Sequence, residues 1–179
     1  MALMKRALVI VGTSLFLSSL ALAEPTLPQP APHPPSPVPT VKPTTFTCID
    51  PAAAAIDFSI LRRTANGGTV HIKATVKNLG NAPYVSRPEQ QEAQLYIVPM
   101  GGNPQLIARQ RFQNLDPGDA VTVTYDQPWI SSNEFPPAFR LVIAYDPDIR
   151  NDGNPKNDDC RMTNNTLERQ GREVSALFR

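Results

Sequence analysis

A strict alternation of apolar and polar side chains over residues 69–77 places the strongest constraint on the fold of this chain. The apolar positions are Val70, Ile72, Ala74 and Val76, and a polar side chain follows each of them. Successive side chains of a β-strand point to opposite faces of the sheet. The pattern therefore predicts a strand with one face in a core and the other in solvent.

More apolar runs of strand length occur elsewhere in the chain. They span residues 56–61, 93–98, 106–112, 120–125 and 138–145, and stretches rich in Gly, Pro and Asn separate them, the first at residues 66–68. In the last run we expect Arg140 to face solvent, and Phe139, Leu141, Ile143 and Tyr145 to face the core. Short strands between turn signals, without helical periodicity, are typical of an all-β sandwich. We predict an immunoglobulin-like β-sandwich of about seven strands over residues 46–179.

The N-terminus has the three parts of a secretory signal peptide. Lys5 and Arg6 precede an apolar run over residues 7–22, and small residues up to Ala23 end it. We predict cleavage after Ala23 and an exported protein, periplasmic or secreted. Glu24 then begins the mature chain, so no cysteine is there to accept a lipid. The alternative is an uncleaved membrane anchor, although the run is slightly shorter than the roughly 17–25 residues that span a bilayer.

Residues 24–45 form a second segment of distinct composition. Nine prolines fall within residues 24–43, with few large apolar side chains to bury. Such a sequence favours an extended polyproline conformation, and we predict a disordered linker. Docking of this segment on an aromatic groove of a partner is the alternative.

The charge of the chain argues against a nucleic acid partner. The formal net charge is +1, and removal of Lys5 and Arg6 with the signal peptide changes it to −1. The arginines are scattered between apolar segments and form no basic stripe, which nucleic acid binding would require.

Cys48 and Cys160 are the two cysteines of the chain, and they flank nearly all of the patterned sequence. In an exported protein such a pair predicts a disulfide. Closing so long a loop would stabilise the fold by at most about 4–5 kcal/mol. Two buried free thiols are the alternative. A zinc site made of cysteines alone is excluded, because it needs four ligands.

A dense acidic loop follows residue 145. Its carboxylates belong to Asp146, Asp148, Asp152, Asp158 and Asp159, and three asparagines stand among them. Calcium prefers such oxygen ligands, so the five aspartates are a candidate calcium site. Arg150 stands where a helix-flanked calcium loop would need a ligand oxygen. We favour an Asx-rich turn, in which short side chains bond to the neighbouring backbone, and we predict no metal or other cofactor.

The sequence contains no recognisable catalytic set. His33 lies in the linker, and His71 lies on the polar face of a predicted strand, away from any serine or cysteine in a nucleophile context. Phosphate-binding, zinc-protease and redox motifs are absent from the sequence. We predict that the protein is not an enzyme.

Several turn motifs carry a family resemblance. They are Val76-Lys77-Asn78-Leu79-Gly80, Leu115-Asp116-Pro117-Gly118 before Val121-Thr122-Val123, and residues 142–148 followed by the acidic loop and Asn164-Asn165. Residues 56–174 resemble the CARDB family, the cell-adhesion-related domain found in bacteria. The resemblance implies a seven-stranded immunoglobulin-like module on a secreted or surface protein. Residues 86–92 depart from the family pattern as a polar insertion.

These features together predict an exported, non-catalytic module of the adhesion type. It would contact a protein or a cell-surface glycan through its sheet faces or end loops. The alternative is a structural or assembly component of a bacterial envelope complex, docked through the linker or an edge strand. A membrane contact is expected only if the signal segment stays uncleaved. The sequence does not identify the ligand-binding residues.

Overall fold

The computed structural model describes residues 46–179. The predicted signal peptide, residues 1–23, and the predicted linker, residues 24–45, lie outside the described residues. The described part consists mainly of antiparallel strands, with one α-helix, α1, and two 3-10 turns. The strands are β1 (Pro51–Thr64), β2 (Gly67–Asn78), β3 (Tyr84–Val85), β4 (Gln91–Val98), β5 (Gln105–Phe112), β6 (Asn114–Leu115), β7 (Ala120–Ile130), β8 (Ala138–Tyr145) and β9 (Thr166–Arg169), and α1 spans Gly171–Ala176.

Two antiparallel sheets contain the seven longer strands. One has the order β1-β2-β7, and the other has the order β5-β4-β8-β9. The short strands β3 and β6 pair with each other beside them. The chain changes sheet between β2 and β4, between β5 and β7, and again between β7 and β8. This division of three and four strands confirms the predicted immunoglobulin-like sandwich.

The core lies between the two sheets and consists of the alternating apolar side chains. Val70, Ile72, Ala74 and Val76 are all fully buried, as the alternation predicts. Phe139 of β8 packs against the rings of Phe58 and Trp129, with ring centroids 5.5 and 6.0 Å apart. Side chains of this size dominate the free energy of burial.

The predicted strand segments all lie within strands, and residues 138–145 coincide with β8. The turn predicted at residues 66–68 is wrong for its last two residues, because Gly67 and Gly68 belong to β2. Both have positive φ, 145° and 155°, and a Cβ on Gly68 would collide with the carbonyl oxygen of Arg62. Glycine is thus used here for close approach of two strands, and the turn itself is shorter.

Asn78 joins the ends of several elements at the disulfide end of the sandwich. Its side chain is 1% exposed. The Oδ1 atom accepts hydrogen bonds from the backbone N–H groups of Asp50, at 3.3 Å, and Gly80, at 3.0 Å. The Nδ2 atom donates to the carbonyl oxygens of Ala82 and Leu115, both at 2.9 Å. A residue that the sequence marks only as part of a turn therefore satisfies four backbone groups, all buried or partly buried.

Replacing Asn78 with alanine should lower the free energy of unfolding by about 1–3 kcal/mol, because it leaves buried backbone groups without partners. Urea denaturation of the mature chain measures the change. The matched control is Asn103→Ala, at an exposed loop position, which should change stability by less than about 0.5 kcal/mol. Equal effects of the two substitutions would show that the four hydrogen bonds of Asn78 do not stabilise the fold.

Candidate functional site

Long polar and aromatic side chains share the outer face of the four-stranded sheet. Cross-strand partners in this sheet include Glu92 with Arg111, Gln94 with Arg109, Tyr96 with Arg140, and Arg140 with Glu168. Side chains directly opposite each other in an antiparallel pair lie on the same face. We call this surface the polar face, comprising Glu92, Gln94, Tyr96, Arg109, Arg111, Arg140 and Glu168, with Glu89 at its margin.

A chain of hydrogen bonds runs along β4 on the polar face. The hydroxyl of Tyr96 donates to Gln94 Oε1 at 2.6 Å, and Gln94 Nε2 donates to Glu92 Oε2 at 3.1 Å. Arg111 Nε then donates to Glu92 Oε1 at 2.9 Å. These side chains hold one another in fixed positions, so little conformational entropy would be lost when a ligand binds them.

Glu92 is the carboxylate at which this chain of hydrogen bonds meets Arg111. Its side chain is only 12% exposed and accepts hydrogen bonds from Arg111 and Gln94. The hydrogen bond from Arg111, followed by that from Gln94, holds the pKa of the Glu92 carboxyl below its ordinary value. Glu92 therefore stays ionised and acts as a hydrogen-bond acceptor, because a carboxyl of lowered pKa is a poor proton donor at neutral pH.

Every charged side chain of the polar face has a partner of opposite charge. Arg111 pairs with Glu89 at 2.8 Å as well as with Glu92. Arg109 approaches Glu92 at 3.6 Å. Arg140 pairs with Glu168 at 2.7 Å. The three guanidinium groups and three carboxylates cancel, and the face carries no net charge.

Recesses occur at three places along the polar face. A groove of about 400 Å³ lies at one end, between the β4–β5 and β7–β8 loops, and Glu168 lines it. A shallow cleft of about 190 Å³ lies over Tyr96 and Arg140. A polar recess of about 280 Å³ lies at the other end, beside Arg111 and Tyr145. Residues of β4 line the recesses in order, first Glu92 and Gln94, then Tyr96, then Val98, and we call this series the path.

The groove at the end of this path exposes large apolar side chains. Met100 is 75% exposed and Phe135 is 58% exposed, and both line the groove. Pro99 and Pro136 lie beside them, and Arg172 adds a charged group at the wall. Apolar surface next to oriented polar groups is typical of a binding site.

The acidic loop forms a series of Asx turns. Side-chain oxygens in it accept from the backbone N–H two residues ahead: Asp148 from Arg150 at 3.0 Å, Asp152 from Asn154 at 2.7 Å, Asn154 from Lys156 at 3.2 Å, and Asp159 from Arg161 at 2.7 Å. Asp146 and Asp158 are exposed. Within residues 46–179, no three of the five aspartates place carboxylate oxygens within 4.8 Å of one another. The geometry is that of an Asx-rich turn, and the structure does not bring the candidate calcium ligands together.

The two most engaged aspartates of this loop differ in their pKa. Hydrogen bonds from Asn157 and Gln90, with a backbone N–H, hold the pKa of Asp152 below its ordinary value. Burial raises the pKa of Asp159, whose other oxygen accepts from Asn165 Nδ2 at 2.7 Å. The two aspartates are thus held mainly by hydrogen bonds from neutral amide groups.

Millimolar calcium should leave the melting temperature of the mature chain unchanged, because the carboxylates are already engaged in turns. A bound ion would stabilise the fold by about 2.7 kcal/mol at a hundred times its dissociation constant. Thermal unfolding with calcium and with a chelator measures the difference. A calcium-dependent rise that disappears in the Asp152→Ala and Asp159→Ala variants would restore the calcium site.

The polar segment over residues 86–92, which departs from the family pattern, is buried in part. Ser86, Gln90 and Gln91 are all buried. The Ser86 hydroxyl donates to Gln90 Oε1 at 2.6 Å, and Gln90 Nε2 donates to Asp152 at 2.7 Å. This segment therefore anchors the acidic loop. Gln91 lies at the same alternate positions of β4 as the buried Ala93 and Leu95, so the sequence pattern could have placed it on the inward face.

The structure pairs Cys48 with Cys160 in a disulfide, as the sequence predicts, with Cα atoms 5.5 Å apart. The bond ties the segment before β1 to the loop after β8. The Asp50 carboxylate lies near the two sulfur atoms. Sulfur atoms in a disulfide are not thiolates, so these three residues do not make a metal site. Asp50 instead accepts from Asn164 Nδ2 at 2.8 Å.

His71 lies on the outer face of the three-stranded sheet. Its Nδ1 atom is 2.6 Å from Asp126 Oδ1, and Ser59 is its partner on the other side. Within residues 46–179, no hydrogen bond joins Ser59 to His71. Ser59, His71 and Asp126 therefore lack the contact between nucleophile and base on which a catalytic triad depends.

Comparisons with known proteins add little. No family model matches the chain, and no curated protein matches it. A solved structure of a β-glucosidase involved in saponin metabolism from intestinal bacteria is similar over 73% of this chain, with 20% identity and a TM-score of 0.29. The matched part is 16% of that structure's length. A likeness of this size carries no argument about function. In the part of the chain that the structure describes, no helix is long and apolar enough to cross a membrane.

Proposed function

We propose that this chain is an exported, non-catalytic binding module of the adhesion type, whose ligand lies along the polar face and the adjoining groove. The observation that carries this proposal is the series of three recesses that successive residues of β4 line. The ligand is a protein or a cell-surface glycan. The CARDB-like turn motifs and the disulfide between Cys48 and Cys160 agree with a module of this class in an oxidising compartment.

The opposite sheet offers a much poorer binding surface. Its outer face carries short side chains, such as Thr75, Thr122 and Thr124. Lys73 lies opposite Asp57, Asp126 pairs with the ring of His71, and no Phe, Tyr or Trp side chain stands among these outward positions. A face without Phe, Tyr or Trp side chains offers few large contacts that a ligand could use. The polar face is therefore the binding surface that we favour.

The second candidate function is assembly by addition of a partner strand. Among the strands of residues 46–179, β5 is at the edge of its sheet and pairs only with β4. It contains no proline, so its free edge can accept another strand. Arg109 and Arg111 lie on this strand, and charged side chains on an edge strand oppose such pairing. The edge thus supports assembly less strongly than the polar face supports ligand binding.

The two functions can be separated with the mature chain on arrays of glycans and of envelope or host proteins. Retention of a free monomer on an array supports recognition, whereas a stable stoichiometric complex recovered from envelope extract supports assembly. We expect retention to fall about tenfold in the Tyr96→Ala/Arg140→Ala variant, because one aromatic contact and one set of fixed donors are lost. Thr124→Ala, on the opposite sheet, is the matched control and should bind like the wild type. Equal binding by all three proteins would reject the polar face as the site.

A further inference from the structure

The chemistry of the polar face points to one class of ligand, an inference that depends on the proposed function. Each of its three arginines is already paired with a carboxylate. A charged ligand would meet a surface of no net charge and would have to compete with these pairs. One member of each ion pair would attract a charged group of the ligand, and the other member would repel it. The face therefore favours an uncharged ligand.

The pairs leave donors and acceptors free at fixed positions. Arg140 uses Nε and Nη2 toward Glu168, which leaves Nη1 with two N–H donors. Glu92 and Glu168 keep lone pairs that their partners do not fill. A surface that offers donors and acceptors in alternation suits hydroxyl groups, because each hydroxyl both donates and accepts. Sugars present rows of such hydroxyls.

The ring of Tyr96 supplies an apolar contact within this polar surface. Its hydroxyl is held by Gln94, two residues away on the same strand, so the ring lies along β4. Pro104, Arg140 and Val142 border the cleft beside the ring. A pyranose has one apolar face of C–H groups, which packs on an aromatic ring while its hydroxyls reach the polar neighbours. The cleft over Tyr96 is comparable in size to one pyranose.

The length of the path sets the length of the ligand. β4 from Glu92 to Val98 extends over about 20 Å, and the two larger recesses lie at its ends. We propose that the ligand is an uncharged, extended oligosaccharide that stacks one ring on Tyr96, accepts hydrogen bonds from Arg140 and donates hydrogen bonds to Glu92. Its end lies in the groove between Met100 and Phe135.

The test uses the full mature chain on an array of uncharged and acidic oligosaccharides, followed by calorimetry with cellohexaose, chitohexaose and hexagalacturonic acid. We expect binding to uncharged glycans that changes little between about 0.05 and 0.5 M NaCl, because no ionic contact with the ligand is screened. Tyr96→Ala should weaken it about tenfold, and Tyr96→Phe, which keeps the ring, by less than about threefold.

Other outcomes distinguish this inference from the proposed function. Binding only to acidic glycans, or only to a protein, with loss in Tyr96→Ala, would overturn the uncharged ligand and leave the polar face as the site. Binding to uncharged glycans that Tyr96→Ala and Arg140→Ala do not weaken would overturn both. Failure to bind anything on the glycan and protein arrays would also reject both.

Discussion

Replacement of Phe139 by alanine is expected to lower the free energy of unfolding by about 3–5 kcal/mol. The Phe139 side chain is fully buried between the two sheets and contacts the rings of Phe58 and Trp129. Its removal loses the free energy of burial and leaves a cavity where three aromatic rings meet. The rigid backbone of two facing sheets closes such a cavity only in part. Urea denaturation of wild type and variant measures the loss.

A phenylalanine in solvent provides the control for this substitution. Phe135 is 58% exposed at the rim of the groove, so Phe135→Ala should change the stability by less than about 0.5 kcal/mol. The comparison keeps the residue types constant and changes only the burial. A loss below about 1 kcal/mol in Phe139→Ala would mean that the aromatic contact does not form in solution.

The second large effect is expected from the disulfide. Replacing Cys48 and Cys160 with serine should lower the free energy of unfolding by about 2–5 kcal/mol, because the bond closes a loop with a sequence separation of 112. The bond lies at one end of the sandwich, outside the core. Circular dichroism should therefore still show the strand signal of the wild type, with a lower midpoint in urea.

Reduction of the wild type gives an independent check on the same bond. The reduced protein should unfold at the urea concentration of the double serine variant, because both lack the same cross-link. Two alkylatable thiols in the native exported protein would contradict the pairing. Loss of the strand signal on reduction alone would show that the bond is required for folding itself and not only for added stability.

The sequence predicts the parts of this fold that depend on local alternation. β8 coincides with its predicted range because large apolar side chains occupy every second position from Phe139 to Tyr145. Strands β1 and β7 extend beyond their predicted ranges, to Pro51 and Ile130, because pairing with β2 continues past the apolar pattern. Backbone hydrogen bonds to a distant strand produce no periodic pattern of side chains in either strand, so the sequence does not predict these extensions.

The C-terminal end shows a different limit of sequence analysis. β9 has four residues and α1 has six, too few for a period to be recognised. Packing against distant residues holds α1 in place: Trp129 Nε1 donates to the Ser175 hydroxyl at 3.2 Å. Gly171 also lies close to the Trp129 ring. Neither contact is visible until the strands are assembled.

The sequence predicts that a sheet face could bind a ligand, but it does not predict which residues meet on that face. Alternation along β4 shows that Gln94 and Tyr96 share a face, and the sequence suggests sheet faces as binding surfaces. It does not show that Arg140 and Glu168 lie beside them, because that requires the registers of β8 and β9. The positive φ of Glu89, 66°, which accompanies its contact with Arg111, is equally invisible in the sequence.

The position of the disulfide also determines how the sandwich would carry a mechanical load. Cys48 lies ahead of β1, and Cys160 lies in the loop that follows β8. Tension on the chain before residue 46 reaches Cys160 through a covalent bond before it reaches the hydrogen bonds of β1. The first strand is therefore not peeled from β2, and the load passes directly to the four-stranded sheet that carries Tyr96.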